Sequence, residues 1–112
     1  MVASLAQGDD IRYQQSGDWF DADLTDSIGW QSAPNLPGAA DTARINWGGN
    51  TVTLSGIAPN INHLQTGVDE SGTLVINSGG SLTSLGWSMI GANGGTTTGA
   101  LTINNGGSDE HW

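Results

Sequence analysis

The sequence predicts an all-β fold, a right-handed parallel β-helix of about two to three rungs with an aromatic N-terminal cap, and three observations carry that expectation. An eight-residue phrase recurs, no window carries a helical apolar period, and the first forty residues differ in kind from the rest. The phrase reads Ala43-Arg44-Ile45-Asn46-Trp47-Gly48-Gly49-Asn50, then Leu74-Val75-Ile76-Asn77-Ser78-Gly79-Gly80-Ser81, then Leu101-Thr102-Ile103-Asn104-Asn105-Gly106-Gly107-Ser108. Its isoleucines fall at Ile45, Ile76 and Ile103, at similar but unequal spacing. A phrase that returns in this way marks a structural repeat rather than a single globular core.

Each part of the phrase has a local physical reading. In Leu74-Val75-Ile76 and Leu101-Thr102-Ile103 the first and third residues share one face of a strand. Asn and a Gly pair follow, where positive φ is tolerated and the chain can turn sharply. A second β-rich run comes next, Thr51-Val52-Thr53-Leu54 in one repeat and Leu82-Thr83-Ser84-Leu85 in the next. A third apolar group follows at Ile61 to Leu64 and at Trp87 to Ile90. Glycine, 18 residues in all, recurs too often for a stable helix.

Three short strands cannot close a core alone, but stacked coils can, each strand pairing in parallel with its equivalent about 4.8 Å along the axis. On that reading Ala43, Leu74 and Leu101 form one buried column, and Ile45, Ile76 and Ile103 another. Asn46, Asn77 and Asn104 stack as a side-chain amide ladder, with ordinary turn initiation as the alternative. An antiparallel sandwich also explains the Gly-rich turns, but gives no reason for the phrase to return.

The expected organisation is a tail over 1–16, a cap over 17–42 and solenoid repeats over 43–112. Within the tail, Val2 to Gln7 has the small-x-small pattern that ends a secretory signal, with a disordered terminus as the alternative. In the cap, Trp19, Phe20 and Trp30 are candidates to plug the open end of the core, as terminal units of solenoids must. A sugar-stacking platform is the other use for such aromatics.

Composition narrows the partners. The chain has no lysine, two arginines (Arg12 and Arg44) and eleven carboxylates, for a net charge of −9. So acidic a surface repels phosphate backbones and anionic lipid, so neither nucleic acid nor a membrane surface is an expected partner. No apolar run approaches the roughly 20 residues of a membrane span, so membrane insertion is not expected. Without cysteine there is neither a disulfide nor a thiolate metal site.

The order Gly17-Asp18-Trp19, then Trp30, then Pro37-Gly38-Ala39-Ala40-Asp41-Thr42-Ala43 and Ile45, followed by Gly-Gly repeats, carries a resemblance. Over residues 17 to 107 the chain resembles secreted bacterial right-handed parallel β-helix repeat proteins, autotransporter-like passengers and surface proteins with a C-terminal sorting anchor. The resemblance implies an extracellular or cell-surface location and a structural or adhesive role. The sorting anchor and the many further rungs of such proteins are missing from the sequence, which implies a fragment or a short member.

Chemistry is sparse. β-Helix polysaccharide lyases need a basic residue beside the uronate; Arg44 would have to serve, with no acidic cluster at matching rung positions. Hydrolases need a carboxylate pair at defined separation, and the rungs offer Asp69, Glu70, Asp109 and Glu110. Asp21, Asp23 and Asp26 form a D-x-D-x-x-D run able to gather calcium, or simply a solvated acidic loop, as Asp9-Asp10 is. His63 and His111 stand alone, so no zinc site is expected. Thr51-Val52-Thr53 and Thr96-Thr97-Thr98 are similar to the threonine rows of ice-binding solenoids, but an alignment of Thr51 and Thr53 with Leu82 and Ser84 breaks the row.

The sequence therefore points to a non-catalytic extracellular structural module with no resident cofactor, calcium being the one ion considered. Its expected partner is itself, head-to-tail into fibres, with Trp87 and Trp112 lending apolar area at the joint. That expectation rests on a third phrase copy that stops before its rung is complete. The alternatives are a carbohydrate-binding or spacer module from a larger polysaccharide-active protein, with a polysaccharide partner, and a calcium-assisted adhesin.

Overall fold

The computed structural model describes residues 9–21, 29–31, 35–92, 99–104 and 106–111. Its regular elements, among the described residues, are ten short strands. They are β1 (Asp10–Arg12), β2 (Gly17–Asp18), β3 (Thr42–Ile45), β4 (Asn50–Leu54) and β5 (His63–Val68). After these come β6 (Gly72–Ile76), β7 (Ser81–Ser84), β8 (Ser88–Ala92), β9 (Gly99–Ile103) and β10 (Ser108–His111).

The strands form three sheets, and every pair of named strands runs parallel. The first sheet has the order β1-β3-β5-β8, the second β2-β4-β6-β9, and the third pairs β7 with β10. Parallel bridges from Ile57 to Ser81 and from Ile61 to Ser84 extend the third sheet by one layer. From β3 onward the chain visits the sheets in turn and returns to each one position further along. Parallel neighbours cannot be joined by a tight turn, so each pair needs a long connection, which here runs through the other two sheets.

The register defines the repeat. In the first sheet Ala43 pairs with Leu64, and Leu64 with Ser88. In the second Val52 pairs with Leu74, and Leu74 with Leu101. The expected columns are therefore half retained. Leu74 with Leu101 and Ile76 with Ile103 do stack, but the residues beneath them are Val52 and Leu54. Ala43 and Ile45 belong to the first sheet, where they pair with Leu64 and Thr66. The interval from Ile45 to Ile76 thus joins two different corners of the molecule and is not a layer-to-layer step.

The corners explain why one phrase serves two turns. The later copies link the second sheet to the third. In them Gly79 and Gly106 hold φ of +85° and +92°, a conformation in which a Cβ would clash with the backbone. Each is followed by a glycine pressed on the layer below. A Cβ on Gly80 would run into the Leu54 carbonyl oxygen, and one on Gly107 would lie 2.8 Å from that of Ile76. The first copy links the first sheet to the second, and added Cβ atoms on Gly48 and Gly49 would meet nothing.

Packing follows alternation. Val52, Leu54, Leu74 and Ile76 point inward and are fully buried, as are Ala43, Ile45 and Leu64 opposite. Burying each of the large aliphatic side chains is worth about 1.5–3 kcal/mol. Outward, Thr51 lies beside Thr73 and Ala100, and Thr53 beside Val75 and Thr102. This corrects the alignment of Thr51 and Thr53 with Leu82 and Ser84, which belong to the third sheet. Val75 and Ala100 still interrupt the threonine rows; Thr96 to Thr98 lie outside the described residues.

The parallel pairing begins earlier than the expected cap. Asp10–Arg12, read in sequence as tail, is β1 and pairs with β3. Trp19 and Trp30 are fully buried together with Tyr13. Their rings meet edge to face, Tyr13–Trp30 at 5.0 Å and Trp19–Trp30 at 4.8 Å between centroids. Such pairs add about 0.5–1.5 kcal/mol beyond area burial. The Trp30 indole N–H donates to the Trp19 carbonyl at 2.7 Å. Phe20, expected in the plug, is instead 40% exposed and lies over Gly56. Its neighbour in sequence takes the inward place, and a sharp turn over 19–20 sends Phe20 outside.

Position within a column sets the cost of a buried charge. Ile76→Asp, at a side chain with no exposure, should unfold the chain or cost several kcal/mol, whereas Ile103→Asp, 47% exposed, should cost far less. Gly80→Ala should cost about 1–3 kcal/mol, since its Cβ would meet backbone that cannot swing aside. Urea denaturation followed by circular dichroism would rank the three; equal losses for Ile76→Asp and Ile103→Asp would contradict the column order.

Candidate functional site

The chain's two cations stand side by side on the outer face of the first sheet, where Arg12 pairs in register with Arg44. Like charges this close need partners, and each arginine finds them in other layers. The Arg44 guanidinium lies between Asp10 at 3.7 Å and Asp69 at 3.2 Å. The positions matched to Arg44 in register are Arg12 and Gln65, so no carboxylate stands at a matching position, and the two that flank Arg44 reach it from other positions in the layers on either side of β3. A guanidinium shared between two carboxylates is poorly placed to stabilise an anionic sugar.

Arg12 makes a denser set of contacts. Its Nε donates to the Asn46 side-chain oxygen at 3.0 Å, and its terminal nitrogen donates to the Asn46 carbonyl at 3.0 Å and to Glu70 at 2.9 Å. The guanidinium also lies 4.2 Å from the centre of the Trp47 ring, a cation–π contact worth about 0.5–1 kcal/mol at an exposed site. Glu70 closes the group by accepting from the Gly48 N–H at 3.2 Å. The Arg12 hydrogen bond, and then that from Gly48, holds the Glu70 carboxyl below its ordinary value.

Two asparagines of the expected ladder do meet, and the third does not. Asn104 donates from its side-chain amide to the Asn77 side-chain oxygen at 2.7 Å, and Asn77 donates to the Ser55 hydroxyl at 3.3 Å. Ser55 thus takes the place assigned to Asn46. Asn46 lies at the other corner, buried, where its amide donates to the Val68 carbonyl at 2.7 Å while its oxygen accepts from Arg12. It still ties layer to layer, but through side chain to backbone. Asn50, which sequence did not single out, does likewise by donating to the Tyr13 carbonyl at 2.9 Å.

Of the other expected residues, Trp87 is 46% exposed and its ring stacks on His63 at 4.1 Å, 13° from parallel. His63 is in β5 and His111 in β10, in different sheets. Asp21 lies at the end of the turn after β2; Asp23, Asp26 and Trp112 lie outside the described residues. Among the described residues no three His, Asp or Glu side chains converge as a metal site. Asp69 has φ of +70°, which few non-glycine residues adopt, and this turn presents Asp69 and Glu70 to the two arginines. The pairings Arg12–Glu70 and His63–Trp87 join residues far apart in the chain. The second has the same separation as Leu64 and Ser88, which pair in adjacent layers, a signal readable only once the register is known.

No protein-family model, curated protein or solved structure matches this chain. The geometry alone bears on function. Every interaction just described joins one layer to another, and none leaves a cation free beside an open carboxylate.

A depressed carboxyl contributes stability that is present above its unfolded value and lost as pH falls through its folded value. For Glu70 that window lies below its ordinary value of 4.5. Glu70→Gln should therefore flatten the acid limb of a stability profile measured by urea midpoints between about pH 6 and 3, with little change at neutral pH. An unchanged acid limb would mean that Arg12 does not favour the ionised carboxylate.

Proposed function

We propose that this chain is a length of right-handed parallel β-helix serving as a non-catalytic structural module of a bacterial surface or matrix protein. One observation carries the reading: two sheets are stacked four strands deep in unbroken parallel order, and a third is stacked beside them in the same sense. Parallel crossovers are almost always right-handed, which gives the coil its hand. The polar side chains support the reading, because the two arginines, Asn46, Asn50 and the Asn77–Asn104 pair are all engaged in holding layers together. The extracellular location rests on the acidic, lysine-free composition and on the resemblance to secreted β-helix proteins.

Extension is the property such a module offers. Among the described residues, β8, β9 and β10 are the outermost strands of the three sheets and belong to one turn of the coil. At that end Ile90 and Ile103 are 38% and 47% exposed. Unpaired parallel edges template a further strand. Docking of the β1–β2 end of a second copy would be head-to-tail, and such a contact propagates when it does not close.

Negative-stain micrographs and light scattering over a concentration series test this directly: filaments should grow with concentration. Ile103→Asp should suppress them while leaving most of the melting temperature intact. Monomers at every concentration would remove self-assembly from the reading. Incubation with pectin and alginate should release no unsaturated product; a lyase signal lost on Arg44→Ala would overturn the non-catalytic role.

A further inference from the structure

His63 and Trp87 form a contact that the structural role does not require. The His63 Nδ1 accepts the backbone N–H of Trp87 at 3.0 Å, while the two rings stack. The imidazole lies so closely against Gly86 that a Cβ there would collide with Nδ1. Around it the chain is tied to the layer below by Leu85 N–H to the Ile61 carbonyl and Gly86 N–H to the Asn62 carbonyl. The Ser84 hydroxyl donates to the Asn62 carbonyl. Residues 85–87 are the passage from β7 into β8, the outermost strand of the first sheet.

An Nδ1 that accepts a hydrogen bond carries no proton, so the ring is neutral with its proton on Nε2. Histidine is the side chain whose charge ordinarily changes between about pH 8 and 5. When it does, Nδ1 becomes a donor and meets the Trp87 N–H donor to donor. The ring stack does not oppose this change, since a charged ring over indole gains cation–π attraction; only the accepting lone pair is lost. The charges nearest in register are Asp41 and Arg44 on and before β3, and Asp10 on β1 beyond Thr42. Each is engaged elsewhere: Asp41 accepts from the N–H groups of Asp9 and Gly38, and Arg44 lies between Asp10 and Asp69. Trp87 before β8, Met89 on β8 and Asn62 before β5 add no charge.

We infer that His63 is a proton-operated latch: neutral, it clamps the passage into β8, and protonated, it releases the Trp87 backbone and loosens the outermost layer of the first sheet. Acid would thereby act on one end of the molecule and leave the buried columns intact.

The test uses the whole chain at low concentration, so it is independent of assembly. In nitrogen-15 spectra the Trp87 amide should shift with the same midpoint as the His63 ring. Its hydrogen-exchange protection, corrected for intrinsic rate, should fall roughly fivefold from pH 8 to pH 5, about what one hydrogen bond is worth. His63→Phe keeps a stacking ring without an acceptor, so Trp87 should be equally unprotected at both pH values. His63→Gln supplies an acceptor that does not titrate and should hold protection constant. A wild-type Trp87 amide that ignores the His63 titration, or a pH dependence that survives in His63→Phe, would overturn the latch.

Discussion

Parallel backbone pairing between equivalent strands one layer apart is the constraint on which everything else depends. Leu54, Ile76 and Ile103 stand in one column because β4, β6 and β9 pair in strict register. A slip of one residue would turn that whole column to solvent. The same register brings Asn104 over Asn77 and Trp87 beside His63. Side-chain stacks are thus consequences of backbone pairing, and they in turn oppose its slippage.

With so thin a core, sealing and corner chemistry carry an unusual share of the burden. Small domains bury a limited fraction of their surface, and this one commits three large aromatics to one end of its stack. Tyr13, Trp19 and Trp30 fill the first layer, although the buried Trp19 indole N–H finds no acceptor among the described residues, a cost of about 1–3 kcal/mol. At the corners, buried amides replace the water that loops would otherwise use. Asn46 and Asn50 satisfy backbone carbonyls of adjacent layers, as buried polar groups must be satisfied.

The charge distribution follows from the same geometry. A chain with eleven carboxylates and two arginines would be expected to disperse its cations. Instead both stand in one outward column and draw Asp10, Asp69 and Glu70 to them. Exposed ion pairs contribute little individually, but these link strands far apart in sequence and so select the register over its neighbours.

Local sequence determined the element type and most of the faces. Alternation in Leu74-Val75-Ile76 fixes which side chains turn inward, and Asn followed by paired glycines fixes where strands end, because both depend on neighbours close by in the chain. Sequence also marked Trp19 and Trp30 for burial. It did not reveal which strand each would pair with. The copy at 43–50 looks equivalent to those at 74–81 and 101–108, yet it turns a different corner, and Asn46 consequently leaves the ladder for Val68 and Arg12. Nothing local distinguishes them, because the length of a parallel layer step varies and is set by whole connections through two other sheets. Arg12 with Glu70 and His63 with Trp87 were hidden for the same reason. Residue types fixed what each segment could become, and only the closing of successive layers decided which segments would touch.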